Sequence, residues 1–279
     1  MCISVLMTVY KNDNKSHFDE AFSSIWNQTL KPKQIVLVID GPVGHDLEKV
    51  IYKWKLNLRD ILTIIYNEKN IGLAKSLNKG LQYCKCHIIA RMDSDDISLP
   101  ERFETEYQYM QRNPTISMIG SWYNIYDEKM EKIIDKRQLP ILYKDIKKIA
   151  KLRTPINHPT IMFKKKAAIQ AGGYPENIGR FEDWGISLKF IKKNLIIENI
   201  PKNLLKFRGG QDLLNRRGGV KYLKEEYKAI YNLYKMELIG LQDLFINIII
   251  RTPIRLLPIN TREKFYKIIR KPILMNKIK

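Results

Sequence analysis

Long apolar runs are missing from these 279 residues: the best candidate, "LFINIII" at 244–250, is short and carries Asn247. A bilayer-crossing helix needs about 20 consecutive apolar residues, so any membrane contact would come from the side. Cysteine is scarce. Cys2, Cys84 and Cys86 are odd in number, and "CKC" lacks the two-residue spacer of a redox or zinc pair, so small buried thiols in a reduced compartment are expected. No basic segment precedes the opening "MCISVLMTVYKND" and no small-residue cleavage site follows it, which predicts a chain that stays in the cytoplasm. Internal repeats and low-complexity tracts are absent, and a composition of 44% hydrophobic and 10% aromatic residues excludes disorder and fibrous structure. Acids are outnumbered, 29 against 49 bases, for a net charge of +20. That excess calls for an anionic partner: nucleic acid, a phosphorylated small molecule or an acidic membrane surface.

What is present is an alternation. The strand-like runs "ISVLMTVY", "QIVLVID", "ILTIIYN" and "HIIARMD" are separated by helical patterns, the first opened by Ser16 with Asp19 three residues on as a capping box. Strands apolar on both faces, alternating with helices, predict an α/β fold with a mostly parallel, Rossmann-like sheet covered on both sides. Ligands of such sheets sit beyond the carboxyl ends of the strands. There the sequence places Tyr10 to Asp13, Asp40, Asn67 to Asn70, and Asp93 to Asp96. Past Pro100 come a helix, "ERFETEYQYMQRN", a strand, "ISMIGSWYNIY", and a Lys-rich segment to Arg153 with no assignable role. The final part is helical and basic. Gly240, Asp243, Asn247 and Arg251 form one narrow polar stripe on an otherwise apolar helix, and nine Lys or Arg against Glu263 follow from Arg251 onward. This reads either as an interfacial membrane anchor or as a helix packed on the domain with a solvated basic tail.

In "IIARMDSDDISLPERFE", Asp93, Asp95 and Asp96 directly follow a buried strand. Carboxylates one residue apart at a strand end suit Mg²⁺ or Mn²⁺ shared with substrate phosphates. The alternative is an acidic turn capping the helix after Pro100, with Glu101 a first-turn acid. The missing glycine and ligand spacing exclude an EF-hand. Asp40, in "VLVIDGPVG", is either a turn residue or an acceptor for a base N–H or ribose hydroxyl. Asn70 and Gly72 stand at a helix start, where free N–H groups favour an anion. Glu182 and Asp183, in "FEDWG", either complement a helix dipole or supply a general base, with Phe181 and Trp184 able to raise a carboxyl pKa and stack on a sugar.

In their order and spacing, "SVLMTVYKND", "VLVIDGP", "NIGLAKSLNKG", "MDSDD", "GGYPE" and "FEDWG" resemble glycosyltransferase family 2, the inverting enzymes of the GT-A fold. The resemblance covers residues 1–210 and is strongest to bacterial O-antigen, capsule and exopolysaccharide-assembly enzymes, which share "MDSDDISLPERFE" and "HPTIMF". It implies a catalytic domain over 1–210, with a nucleotide-sugar half at 1–100 and an acceptor half at 101–210; the basic, amphipathic pattern beyond it makes 211–279 a membrane-associating extension. By the same resemblance Thr8 and Tyr10 would line the nucleotide pocket and Asp40 would meet a uracil-type base. Asp93 and Asp95 would form the DxD pair that holds Mn²⁺ or Mg²⁺, with Asp93 leaning toward the ribose, and Asp183 would deprotonate the acceptor. The donor would be a UDP-hexose, the acceptor a lipid-linked glycan, and the place of action the inner face of the cell membrane.

Two positions depart from the family pattern. Thr8 replaces a proline, and Leu77 replaces the arginine of an "ARN" triplet, leaving Asn78. Diphosphate contact then falls to Arg208, or to Arg216 and Arg217 in "NRRGG", which otherwise make a solvated basic turn. His158, in "NHPT", fits the branch without a role and reads most simply as part of a structured loop before Pro159. Two rivals remain. A nucleotidyltransferase would need a Gly-rich phosphate loop near the N-terminus, and "LMTVYKNDN" has no glycine. A nucleic-acid-binding protein would account for the net charge and for "REKFYKIIRK", yet acids line the presumed cleft, and no nucleic-acid partner is expected.

Overall fold

The alternation folds as its patterning requires. In the computed structural model, which describes residues 1–209, 218–257 and 261, β1 (Ile3–Val9), β2 (Gln34–Ile39), β3 (Leu62–Tyr66) and β4 (Ile88–Met92) run parallel in the order β3-β2-β1-β4. Their crossovers include α1 (Lys15–Trp26), α2 (His45–Leu58) and α3 (Leu73–Tyr83). Every residue of β2 and β4 is buried, because helices cover both faces. Phe18 and Phe22 of α1 and Leu47, Ile51 and Trp54 of α2 pack with Val5, Met7, Ile35 and Leu37. On the opposite face, Leu77 and Leu81 of α3 pack with Leu6, Val36 and Val38. Each such large side chain contributes about 1.5–3 kcal/mol when fully buried. The layers are tight enough that a Cβ at Gly80 would lie 2.5 Å from Leu6 Cδ1.

The second half extends the same sheet. β5 (Ile97–Ser98), β6 (Ile116–Tyr126), β7 (Ile133–Arg137), β8 (Met162–Lys164) and β9 (Ile196–Arg208) continue it in the order β4-β8-β6-β9-β5, with β7 paired to β6. β8 is antiparallel to both β4 and β6, so the sheet is mixed beyond β4. Four helices accompany these strands: α4 (Arg102–Arg112), α5 (Tyr143–Ala150), α6 (Lys165–Gln170) and α7 (Glu182–Lys192). The Lys-rich segment of unassigned role is thereby resolved into β7 and α5.

The chain then builds α8 (Gly219–Lys235) and α9 (Leu241–Leu256), which share a core with α7 through Trp184, Leu188, Ile230, Leu233 and Leu244. The polar stripe of α9 faces inward. Asn247, 1% exposed, donates to the carbonyls of Lys151 and Asp243. Arg251 reaches Glu226 and the Leu152 carbonyl, and Arg255 makes two hydrogen bonds to Glu226, which is fully buried. The apolar side faces outward, with Phe245 56% and Ile249 70% exposed. The basic residues expected beyond it, at 262–279, lie outside the described residues. Among the described residues no helix is long and apolar enough to cross a membrane.

Two local expectations are corrected. Asn14, not Ser16, caps α1: its side chain accepts from the N–H groups of Ser16 and His17 at 2.8 and 3.3 Å because the helix begins two residues earlier, at Lys15. Asp19, freed from a capping box, takes Trp54 Nε1 at 2.6 Å and Lys53. Cys2 and Cys86 are joined in a disulfide rather than standing as separate thiols. The parallel register pairs Ile3 with Ile88, so the residues just before those two strands lie side by side, a neighbourhood that spacing along the chain does not reveal. Cys84 alone is the buried thiol expected, its pKa pushed up to about 12 by burial.

Candidate active site

At the carboxyl ends of β1, β2 and β4 the structure opens a cleft of about 840 Å³. Chain reversal around β1, with β2 on one side and β4 on the other, makes the crevice in which open α/β sheets bind ligands. Thr8, Tyr10, Asp40, Asn70, Gly72, Asp93, Asp95 and Arg208 all line it, as do His158, Glu182, Asp183 and Trp184. Thus one cavity gathers nearly all the residues singled out in the sequence.

Asp40 organises the loop after β3. Its carboxylate accepts from the Ile71 and Gly72 N–H groups at 2.8 and 3.0 Å and from Asn67 Nδ2 at 3.0 Å, while Asn70 Nδ2 donates to the Asp40 carbonyl. Gly72, at φ +91°, leads this loop into α3. The Asp40 side chain is therefore both a cleft residue and the anchor of the loop beside it.

Around the end of β4 the acids differ sharply. Both Asp93 oxygens accept from Arg91, a guanidinium only 1% exposed whose main chain is pinned by Arg102. Asp96 is turned inward, where it accepts the Arg208 N–H at 2.8 Å, and this takes it out of any ligand set. Burial, with Asp93 and Asp13 adding repulsion, raises the Asp95 carboxyl to about 7. Asp13 itself rises to about 6, mainly through burial, although Tyr10 N–H and the Ser94 hydroxyl donate to it. Three neighbouring carboxyls, Asp13, Asp93 and Asp95, with the Arg91 guanidinium paired to one of them, leave this corner of the cleft short of positive charge. That is the chemistry of a divalent-cation site completed by a ligand's phosphates, since Mg²⁺-type ions take only one or two protein carboxylates there. Among the described residues no group of three or more His, Cys, Asp or Glu could hold a metal unaided.

Arg208 fixes the rim. Its Nε donates to the Asp95 carbonyl at 2.8 Å, one terminal nitrogen donates to the Glu128 carbonyl at 2.7 Å, and the other pairs with Glu20. Arg216 and Arg217 lie outside the described residues.

Across the cleft, α7 presents Glu182 and Asp183 in its first turn. Burial, then the charge of Asp183, pushes Glu182 up to about 8, so it is largely protonated at neutral pH. Asp183 Oδ1 accepts the Trp184 N–H at 2.6 Å. Trp184 is not a stacking platform: it is 2% exposed, with its indole N–H on the Ala150 carbonyl and its face under Arg251. His158 is part of the structured turn its neighbour Pro159 foretold, and its Nε2 meets the Tyr174 hydroxyl at 3.1 Å. Burial and the nearby Arg91 hold its imidazole well below its ordinary pKa, and hence neutral.

Asn78 is the one predicted donor residue that lies outside the cleft. Its amide donates to the Tyr174 carbonyl and to Glu176, both at 2.9 Å, and its Oδ1 accepts the Tyr174 N–H. It clamps the Gly-Gly turn, because α3 directs that face toward residues 173–176. Asp13 and Arg91 were overlooked as individuals, though "YKND" and "ARMD" placed both at strand ends.

The model of the family described as "Glycosyl transferase family 2" matches residues 4–173. The chain belongs to glycosyltransferase family 2. Among curated members, the amylovoran biosynthesis glycosyltransferase AmsE of Erwinia amylovora is 36% identical over 268 residues, covering 95% of this chain and 97% of its own. The UDP-Gal:alpha-D-GlcNAc-diphosphoundecaprenol beta-1,3-galactosyltransferase of Escherichia coli is also 36% identical, over 271 residues, covering 95% and 94%. Solved structures agree on the GT-A fold. The Pyrobaculum calidifontis mannosyltransferase PcManGT, in complex with GDP-Man and Mn²⁺, superposes with a TM-score of 0.60 at 14% identity, covering 96% of this chain and 79% of its own. S. aureus TarS 1-349 with UDP-GlcNAc gives 0.60 at 16%, covering 84% and 67%. Family 2 membership makes the protein a glycosyltransferase and sets aside the nucleotidyltransferase and nucleic-acid-binding readings.

Proposed function

We propose that this glycosyltransferase moves a hexose from a UDP-sugar, with inversion, onto a lipid-linked glycan during surface polysaccharide assembly, acting in the cytoplasm at the inner face of the membrane. The observation that carries the reading is that Asp93, Asp95 and Asp183 all line one cleft of about 840 Å³. The activity of the E. coli relative, galactosyl transfer from UDP-Gal to a diphosphoundecaprenol-linked sugar, supports the donor and acceptor classes.

The residues divide the work. Thr8, Tyr10 and the loop held by Asp40 would enclose the nucleoside. Mn²⁺ or Mg²⁺, held by Asp95 with Asp93, would neutralise charge on the departing diphosphate. Asp183 would take the proton of the acceptor hydroxyl, whose oxygen then bonds to the anomeric carbon. The bond to the diphosphate breaks on the opposite face, its electron pair leaving with the nucleotide. Glu182, largely protonated at neutral pH, is unfit for that proton and leaves the role to Asp183. Arg208, its side chain already engaged by the Asp95 and Glu128 carbonyls and by Glu20, would hold the rim that carries Asp95 rather than swing onto a phosphate.

Peripheral membrane contact would come from the outward apolar side of α9 and the basic chain after it. Deleting 238–279 is a poor test, since it strips Arg251 and Arg255 from buried Glu226. The direct test of the activity is a donor screen with Mn²⁺ and a panel of UDP- and GDP-sugars, following nucleotide release. Asp183→Asn should keep donor binding near normal while transfer falls by about 10²–10⁴-fold. Absence of release with every donor, lipid-linked acceptor supplied, would sink the donor reading.

A further inference from the structure

The cleft continues past Asp183. Arg180, three residues before it, lies over the Tyr222 ring at 5.5 Å and pairs with Glu225 at 3.1 Å, its side chain 53% exposed. Arg251 sits 4.9 Å from the ring of Trp184, the residue after Asp183, and Arg255 lies 4.8 Å from Tyr222. Both share Glu226, and Arg153 completes the wall. Four guanidiniums thus gather at this end of the cleft, where Glu225 pairs with Arg180 and Glu226 is shared by Arg251 and Arg255. Immediately beside them Ile250 and Ile254 line the same cleft, and the outer side of α9 carries the apolar row on through Ile246, Ile249 and Phe245.

We infer that this end of the cleft seats the diphosphate and first isoprene units of a polyisoprenyl diphosphate acceptor. The phosphates lie against Arg180 and its neighbours, and the hydrocarbon leaves along the outer face of α9. The inference rests on the lipid-linked acceptor of the proposed function, and it specifies where and by what chemistry that acceptor is held. A compact anion joined to an apolar chain matches a compact cationic wall joined to an apolar row. Arginine forks suit phosphate oxygens, and a solvent-exposed pair such as Arg180–Glu225 yields to a phosphate at little cost. A bare membrane surface has no phosphate that enters a cleft, and an unphosphorylated glycan has no use for the charge. The seat also lies beside the base, as an acceptor with only one or a few sugars on its diphosphate requires.

Titration calorimetry on the full chain tests this with farnesyl diphosphate as the probe, against farnesol, inorganic diphosphate and, separately, UDP with Mn²⁺. Farnesyl diphosphate should bind about tenfold or more tighter than farnesol or inorganic diphosphate, and the two ligands, UDP and farnesyl diphosphate, should bind together. Arg180→Glu should weaken it about tenfold with UDP affinity unchanged, which also certifies the fold. Ile249→Asp should weaken farnesyl diphosphate while leaving inorganic diphosphate as it was. Farnesyl diphosphate that binds no tighter than its two halves, that is undiminished in Arg180→Glu, or that is displaced by UDP would overturn the inference. None of these readouts needs turnover, so failure here and failure of the donor screen are separate results.

Discussion

Glu226→Gln should be the most damaging near-isosteric change in the C-terminal helices. The carboxylate is fully buried and is the shared counter-charge of Arg255, at 2.7 Å from both Nε and a terminal nitrogen, and of Arg251. Burial already disfavours the Arg251 cation and lowers its pKa, so a neutral amide leaves two guanidiniums pressed together with no anion between them. Removing one partner of such a buried cluster costs about 3–5 kcal/mol. With a urea m-value near the upper end of about 1–3 kcal/mol/M for a chain of this size, the unfolding midpoint should fall by about 1–2 M. Tryptophan fluorescence is the natural assay, because the Arg251 guanidinium lies against the Trp184 ring. Replacing all three groups together, Glu226→Leu with Arg251→Met and Arg255→Met, should recover most of the loss, since no charge is then left buried. An unchanged midpoint in Glu226→Gln, or a triple variant no better than the single, would refute this account of how α9 is held.

Other outcomes follow from the site. Glu182, raised from 4.5 to about 8, binds a proton in the folded state that the unfolded chain has released, so its stabilising contribution is complete below pH 4.5 and disappears as pH rises through 8. Thermal melts across that range should show the decline, and Glu182→Gln should flatten it. Asp40→Ala strands the Ile71 and Gly72 N–H groups at about 1–3 kcal/mol each, so a lower melting temperature and weaker UDP binding by calorimetry are expected together. Asn78→Ala should cost about 1–3 kcal/mol through the turn at 173–176 while the donor KM stays constant; a raised donor KM would restore Asn78 to the donor site. Phe245→Asp with Ile249→Asp should lower sedimentation with anionic vesicles and leave UDP binding intact, and undiminished sedimentation would remove α9 from the membrane contact.

The parallel half of the fold was legible because its strands are buried on both faces and so leave unbroken apolar runs, as in "QIVLVI". The edge on which Asp40 and Asp93 meet was legible for the same reason, since strand ends in such a sheet share one side; Asp183, in the first turn of a helix, was joined to them only by the family resemblance. The mixed half was less so: β8 is only three residues long, and no periodicity in "MFK" announces a strand between β4 and β6. Side-chain commitments were also hidden. Nothing local in "SLNKG" tells that Asn78 is spent on a turn 96 residues away, nor in "FEDWG" that the indole is interior. The disulfide depended on register, and the direction of the α9 stripe on a single buried glutamate in another helix.

For α9 the usual table of tolerated changes is reversed. Elsewhere on a soluble protein a polar helix position accepts almost anything and an apolar one resists charge. Here Asn247→Leu, which raises helix propensity, should be selected against, because Asn247 ties α9 to the Lys151 carbonyl. Ile249→Lys, at a position 70% open to water, should instead pass unnoticed by the fold. A mutational scan scored first on abundance and then on growth would therefore split this helix into two rows that answer to different selections, one to folding and the other to whatever meets the outer face.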